Sequence, residues 1–331
     1  MSLQGLPIEL VHIIAQDLDI HTLAALAQTC SSFCLVAQSL LYRRISVSAW
    51  SRNLSVVPLL AKRPDIARHV RSFYIAVDSP PTVFSAYYGL LAKAIQNMSE
   101  LTSLNLLVDS GVSWVLKEAC THTSYPYLTH FTCSFPFDEN VIQFLGKTPS
   151  LLELEADSIP STFALNPLGA SLPATTIPLL EHFIGSPRTA RALVPGRPIK
   201  SLHLNGSALT EDDIVLLARA TSPIVVLGAA INSSPVPFLE HLHRYLPHLA
   251  YLRIMTMQTM HEPPAPEFYE QVADVLASFP ELSAFELSGM HWGSQQKRGD
   301  GSKRVWQSSP LSTMTQLDDN ILLETHNFSF Y

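Results

Sequence analysis

Apolar residues follow two different spacings along this chain. Near the amino terminus the spacing is helical: Leu10, Ile13, Ile14 and Leu18 stand at i, i+3, i+4 and i+8, on one helix face. Pro7 opens that helix, where a first-turn proline is tolerated because its missing N–H would lack a partner in any case. A second helical pattern runs through Leu23, Leu26, Ala27 and Cys30, and Phe33, Ala37, Leu40 and Leu41 continue it. Asp19 predicts a cap before a helix at His21 to Thr29, and Ser31-Ser32 predicts a break before a third helix. Three short helices in about 45 residues leave little room for a core of their own. The apolar face of the first helix therefore packs inside its own domain or belongs to a partner, and the small size of the segment favours the partner.

From about Arg63 the pattern becomes apolar-x-x-apolar-x-apolar, and it repeats. The copies are VRSFYI (Val70, Phe73, Ile75), LTSLNL (Leu101, Leu104, Leu106), LTHFTC (Leu128, Phe131, Cys133) and LLELEA (Leu151, Leu154, Ala156). IKSLHL (Ile199, Leu202, Leu204), LAYLRI (Leu249, Leu252, Ile254) and LSAFEL (Leu282, Phe285, Leu287) follow, with weaker copies around Phe183 and Leu227. The middle apolar positions are separated by 31, 27, 23, 29, 19, 25, 25 and 33 residues. Leucine-rich repeats run at about 20–29 residues, so the array is of that kind but irregular.

Helical patterns fill the gaps: Phe84, Tyr87, Tyr88, Leu91 and Ile95 share a face, and Thr210 caps a run through Ile214, Leu217 and Ala218. Leu239, Leu242 and Leu246 mark another helix, and Phe268, Val272, Val275, Leu276 and Phe279 a further one. The expected fold is α/β: a short all-α segment of three helices, then a leucine-rich-repeat-like strand/helix solenoid with parallel strands on its concave side. One strand-helix unit cannot bury its apolar face alone; stacked units make a continuous core. Residues 161–178 and 230–237 read as loops, and the Gly/Ser-rich stretch from 293 as a mostly disordered tail with one ordered element near DNILLE. The expected domains are thus 1–48, a linker at 49–62, the repeats at 63–292 and the tail at 293–331.

Composition narrows the partners. The chain is 47% hydrophobic and only 15% charged, against a typical charged share of about 25%, and its mean hydropathy is +0.18. Apolar surface kept for a partner is one explanation. A net charge of −7 argues against a general nucleic-acid binder. The longest apolar run, IVVLGAAI, is far short of the ~18 residues of a membrane span. No basic stretch followed by an apolar one marks a signal peptide, so a cytoplasmic or nuclear location, or both, is expected. Cys30, Cys34, Cys120 and Cys133 form no CxxC pair and read as buried thiols. N-x-S/T triplets at Asn53, Asn97, Asn205, Asn232 and Asn327 read as chance matches in a Ser-rich chain.

The amino-terminal segment resembles the F-box family. Leu6-Pro7-x-Glu9-Leu10, Ile13-Ile14, Leu18, the Asp19-x-x-x-Leu23 element, Leu26, and Cys30 followed by Phe33 carry the resemblance, and LLYRRI at 40–45 is similar to the family's closing segment. With irregular leucine-rich repeats behind it, the chain is similar to a class common in fungi. The resemblance implies binding of the adaptor Skp1, and through it a cullin-RING ubiquitin ligase, while the repeats select a protein substrate of unknown identity. By it, Leu6, Pro7, Ile8, Glu9, Leu10, Ile13 and Ile14 would lie on the adaptor surface, and Leu18, Leu23 and Leu26 would hold the F-box core or complete the interface. The alternative is a leucine-rich-repeat scaffold with an F-box-like start that acts outside any ligase.

Catalytic patterns are missing from the sequence: no G-x-S-x-G, Walker A or dinucleotide fingerprint occurs. His241 and His243 are two apart on a predicted helix and point to different sides, which disfavours a metal site with His248. Asp212-Asp213 reads as helix-start charge, and KRGDGSKR at 297–304 as a solvated basic cluster. No enzyme activity, cofactor or metal is expected. Substrate contact is expected on the concave strand face, where Tyr74, Asn105, Thr132, Glu155, Ile184, His203, Arg253 and Glu286 form one outward column. Ser103, His130, Glu153, Ser201, Tyr251 and Ala284 form the next.

Overall fold

The computed structural model describes residues 6–77, 85–156, 172–257, 266–296 and 304–310. The chain divides into two compact units, residues 1–193 and 194–331.

The first unit opens with α1 (Ile8–Gln16), α2 (Ile20–Ala27) and α3 (Ser31–Leu41). Pro7 is the N-cap of α1, and its carbonyl accepts the N–H groups of Leu10 and Val11 at 3.1 and 3.2 Å. Its fixed φ of −55° suits that place. The Asp19 carboxylate caps α2, accepting from the N–H groups of His21 and Thr22 at 2.8 and 3.0 Å. A bond from the Thr22 hydroxyl, and after it these backbone bonds, hold Asp19 below the usual carboxylate range. Val11, Ala15, Leu23, Val36 and Ala37 make the small core of this helical segment, with Leu18, Leu26, Phe33, Leu40 and Leu41 packed against it.

Strands then alternate with helices. They are β1 (Arg44–Ser48), α4 (Val56–Lys62), α5 (Pro64–Ala67), β2 (Ser72–Ala76), α6 (Ser85–Asn97), β3 (Ser103–Leu107), α7 (Trp114–Ala119), β4 (His130–Cys133), α8 (Glu139–Leu145), β5 (Glu153–Ala156), β6 (His182–Gly185) and α9 (Pro187–Leu193). β1 to β6 pair in chain order, all parallel. The register places Ile45, Phe73, Leu104, Phe131, Leu154 and Phe183 in one row, so the repeated apolar positions of the sequence meet side by side. Successive repeats are also clamped just before each strand. The Arg71 carbonyl accepts from both Thr102 and Ser103 N–H (2.7 and 3.0 Å), and the Thr102 carbonyl from both Thr129 and His130 N–H (2.9 and 3.2 Å). The hydroxyls of Thr102 and Thr129 join the same carbonyls at 2.9 and 3.0 Å. This explains the hydroxyl that follows the first leucine in LTSL, LTHF and LSAF.

The segment expected as the helical domain, 1–48, ends in a strand of this array, and the expected linker at 49–62 holds helix α4, tied to α6 through Asn97. Tyr42-x-x-Ile45-x-Val47 is a further copy of the repeat unit, and its strand β1 pairs with β2 over its whole length. Flanking arginines and the lack of any leucine hide it in the sequence. The outer edge of β1 is closed by one side chain. Asn53 donates from its amide to the Ser46 carbonyl at 2.7 Å and accepts from the Ser48 N–H at 3.0 Å, as a neighbouring strand would.

The second unit holds β7 (Ser201–Leu204), α10 (Glu211–Leu217), β8 (Val226–Ile231), α11 (Pro235–Tyr245), β9 (Tyr251–Thr256), α12 (Pro266–Leu276), β10 (Ala284–Leu287), β11 (Met290–Gln296) and β12 (Arg304–Pro310). β7 to β10 are parallel, with Leu202, Leu227, Leu252 and Phe285 in one register row. The Thr210 cap of α10 is a full capping box: its hydroxyl accepts from the Asp213 N–H at 3.3 Å, and the buried Asp213 carboxylate accepts from the Thr210 N–H at 2.9 Å. The expected loop at 230–237 shrinks to Asn232–Ser234, because Pro235 starts a helix in the one turn where proline is tolerated. Only 172–178 of the loop expected at 161–178 lies among the described residues.

After β10 the direction reverses. Ser288 and Gly289, with φ of 46° and 85°, make a two-residue turn, and β11 and β12 continue antiparallel. Trp292, 1% exposed, stacks on Tyr269 with ring centroids 5.8 Å apart and leans on Phe285, while Trp306 is 5% exposed. The expected disorder from 293 therefore does not hold for this hairpin: two tryptophans in an otherwise polar stretch supply enough burial to order it. The element expected near DNILLE and most of KRGDGSKR lie outside the described residues.

Candidate interaction surfaces

Helix α1 presents its larger apolar face outward. Its inner side is only Val11 and Ala15, whereas Ile8, Leu10, Ile13 and Ile14 are 50, 47, 60 and 55% exposed. Leu6 (37%), Pro7 and Glu9 are exposed beside them. Ile20 on α2 and Leu35 on α3, at 73 and 56%, extend the apolar surface of the segment. Leu23 lies instead in the core, and Leu18 and Leu26 pack half-buried against it. Of the sequence-derived face Leu10, Ile13, Ile14 and Leu18, the first three lie exposed on α1, whereas Leu18 falls beyond the helix, which ends at Gln16, and packs on the core. Spacing gives a helix its amphipathic face without saying which way the face points.

The second surface is the partly exposed side of each sheet. In the first unit the register aligns Ser46, Tyr74, Asn105, Thr132, Glu155 and Ile184 in one row. The column expected from the sequence is therefore a physical row here, with Ser46 added by the hidden repeat. In the adjacent row His130 and Glu153 stand as a pair at 3.4 Å, and Thr129 Oγ1 lies 2.7 Å from His130 Nδ1.

In the second unit the row is His203, Gly228, Arg253, Glu286 and His291, and Tyr251 belongs to the neighbouring row. Glu286 differs from expectation: it is only 8% exposed, with its carboxylate 3.2 Å from Arg253 Nε. Burial, then the charge of Glu286, pushes the Tyr251 phenol up, and Arg253 opposes them. The His203 ring lies over Gly228, so close that a Cβ there would stand 2.9 Å from Nδ1. Sequence reasoning missed Met255 and Met257, 45 and 59% exposed at the end of β9, and Trp50, 89% exposed on the turn after β1. All three lie outside the repeated apolar motif, so periodicity gives no signal for them.

Among the described residues no group of three or more His, Cys, Asp or Glu could hold a metal ion. His241 lies against Tyr245 and His243 against Phe279, so the two face different neighbours, and His248 pairs with Glu281 at 2.7 Å. Cys120 and Cys133 are buried, Cys30 and Cys34 half-buried, and burial pushes the Cys120 thiol up. No helix among the described residues is long and apolar enough to cross a membrane. Two of the N-x-S/T asparagines are structural: Asn53 closes the β1 edge, and the Asn97 amide donates to the Leu60 and Ala61 carbonyls at the end of α4.

No curated protein matches the chain. Among solved structures it is similar to a leucine-rich repeat protein of Leptospira interrogans, with 12% identity and a TM-score of 0.32; the match covers 76% of this chain and 62% of that protein. The amino-terminal segment, residues 3–48, matches the family model described as F-box-like.

Proposed function

We propose that this chain is the substrate-recognition adaptor of a Skp1-cullin-F-box ubiquitin ligase. It binds a Skp1-type adaptor through the outward face of α1 and a protein substrate through the partly exposed sheet faces. In this reading it has no catalytic chemistry of its own, works in the cytoplasm or nucleus, and belongs with the fungal F-box proteins that carry irregular leucine-rich repeats. One observation carries the reading: α1 keeps Val11 and Ala15 for its own core and leaves Ile8, Leu10, Ile13 and Ile14 outside. Large apolar side chains left out of a segment with so small a core mark a protein interface. The F-box-like match over the same residues supports the identity of the partner.

The test is a binding titration of the full chain with purified Skp1-type adaptor. Ile13 and Ile14 are exposed, so Ile13→Asp with Ile14→Asp leaves the melting curve unchanged. Each isoleucine is worth roughly 1.5–3 kcal/mol when fully buried, so the double variant is expected to bind at least about a hundredfold more weakly. Equal binding by the folded variant refutes the adaptor interface. Binding of the adaptor without recruitment of a cullin refutes the ligase role.

A further inference from the structure

The charge of this chain is segregated. Residues 42–71 hold seven of its 21 Lys and Arg and one of its 28 Asp and Glu, a net +6, which leaves −13 on all the other residues. The fold gathers most of these cations at one place. Arg43 and Arg44 stand at the start of β1 and Arg71 just before β2, where the Arg43 carbonyl accepts from the Arg71 N–H at 2.8 Å. The Arg71 guanidinium donates to the Arg68 carbonyl at 3.2 Å, which brings Arg68 to the same edge. Lys62 and Arg63 join α4 to α5, on the same short segment of chain as Arg68 and Arg71. Only part of this charge is neutralised: Arg63 pairs with Asp65 and Arg71 with Glu100. Arg43, Arg44, Lys62 and Arg68 are exposed and make no ion pair among the described residues.

We infer that this cationic edge, made by the first repeat where it leaves the helical segment, is a docking surface for an acidic protein segment, a short stretch rich in Asp and Glu. The charge of the edge selects an anion, and the charge of everything else limits its length. A duplex or an anionic bilayer would extend past the edge and meet the rest of the first unit, whose other described residues hold 11 Asp and Glu against 5 Lys and Arg, a net −6, whereas a short acidic stretch need not. Arg68 and Arg71 also add to burial in pushing the nearby His69 down, as a locally positive field does. The inference does not depend on which partner occupies α1.

The probe is a fluorescent peptide of alternating Glu and Asp, titrated with the full chain at 50 and 200 mM salt, the concentrations chosen to span the screening range. Binding is expected at low salt, weakened at least about tenfold at high salt and at least about tenfold by the combined Arg43→Glu, Arg44→Glu and Arg68→Glu variant. All three side chains are exposed, so the variant keeps its circular dichroism spectrum. Arg52→Glu is the control, because Arg52 stands in the turn after β1, at the end of the strand opposite Arg43 and Arg44; it should leave peptide binding within about twofold. The inference is overturned if the peptide fails to bind at low salt, or if the triple variant binds it equally well. It is also overturned if Arg52→Glu weakens binding as much as the triple variant, or if duplex DNA or phosphatidylserine vesicles bind more tightly than the peptide.

Discussion

Two glycines show how differently single positions are constrained. In β6, a Cβ on Gly185 would stand 2.2 Å from the Ala156 carbonyl oxygen, a backbone atom of the paired strand that cannot step aside. In β8, the atoms a Cβ on Gly228 would meet are those of the His203 ring, a side chain rather than backbone. Gly185→Ala is therefore expected to cost about 2–3 kcal/mol by overpacking, and Gly228→Ala less than about 1 kcal/mol. Urea denaturation of the two variants compares them directly; equal losses would show that His203 is held as firmly as backbone. Asparagine carries a related lesson at Asn53 and Asn97. Each amide is consumed by backbone hydrogen bonds, so a triplet that reads as chance in the sequence has a structural reason for its asparagine. Nothing local to the triplet could have revealed this, because the carbonyls bonded by Asn97 lie on another helix.

At the scale of elements, Tyr125 ties two helices together. Its side chain is fully buried, and its hydroxyl donates to the carbonyls of Ile95 at the end of α6 and Ala119 at the end of α7, at 3.2 and 3.3 Å. Tyr125→Phe is expected to cost about 1–2 kcal/mol, because it leaves those carbonyls without this donor. Burial pushes the Tyr125 phenol well above its ordinary range and that of Tyr87 up to about 12. Below about pH 10 both are protonated folded and unfolded, so they add no pH dependence there. Above it the unfolded tyrosines lose protons that the folded ones keep, and stability falls by up to about 1.4 kcal/mol per pH unit for each. Denaturation at pH 8 and pH 11 should show the fall, and the Phe variant should lose part of it; an unchanged slope would mean that Tyr125 reaches solvent. Elements also mark where the sequence speaks clearly. Every neighbouring pair of repeated middle apolars from Phe73 to Phe183, and from Leu202 to Phe285, meets in register. Strand β1 escapes notice because arginines and serines surround Ile45 and Val47, and the final hairpin because its order rests on Trp292 and Trp306 rather than on a period. The outward turn of α1 is settled by tertiary packing alone, since Val11 and Ala15 are no more conspicuous in sequence than the residues they displace.

For the molecule as a whole, the hydrophobic core of the helical segment is confined to residues 11–41 and shares no member with the repeats. Strand β1 and helix α4, by contrast, belong to the repeats: β1 pairs with β2, and Asn97 on α6 caps the end of α4. A fragment of residues 43–310 is expected to melt cooperatively. A fragment of residues 63–310 loses β1 and α4, bares the edge of β2, and should melt earlier and aggregate more readily. Thermal scans followed by circular dichroism and light scattering distinguish them; identical behaviour would mean that the first repeat contributes nothing to the array.

The reversal at Ser288-Gly289 has a consequence for how such a protein can lengthen. Parallel repeats accept a new neighbour because each offers the edge its predecessor offered. Once β11 and β12 run the other way, that translational equivalence is gone at the carboxyl side, and a duplicated module appended after residue 310 finds no matching register. Growth by duplication is therefore restricted to positions upstream of β10 inside a run of parallel strands, β1 to β6 or β7 to β10, where an inserted module meets parallel strands on both sides. Within those two runs the spacings of the repeated middle apolars vary from 23 to 33 residues.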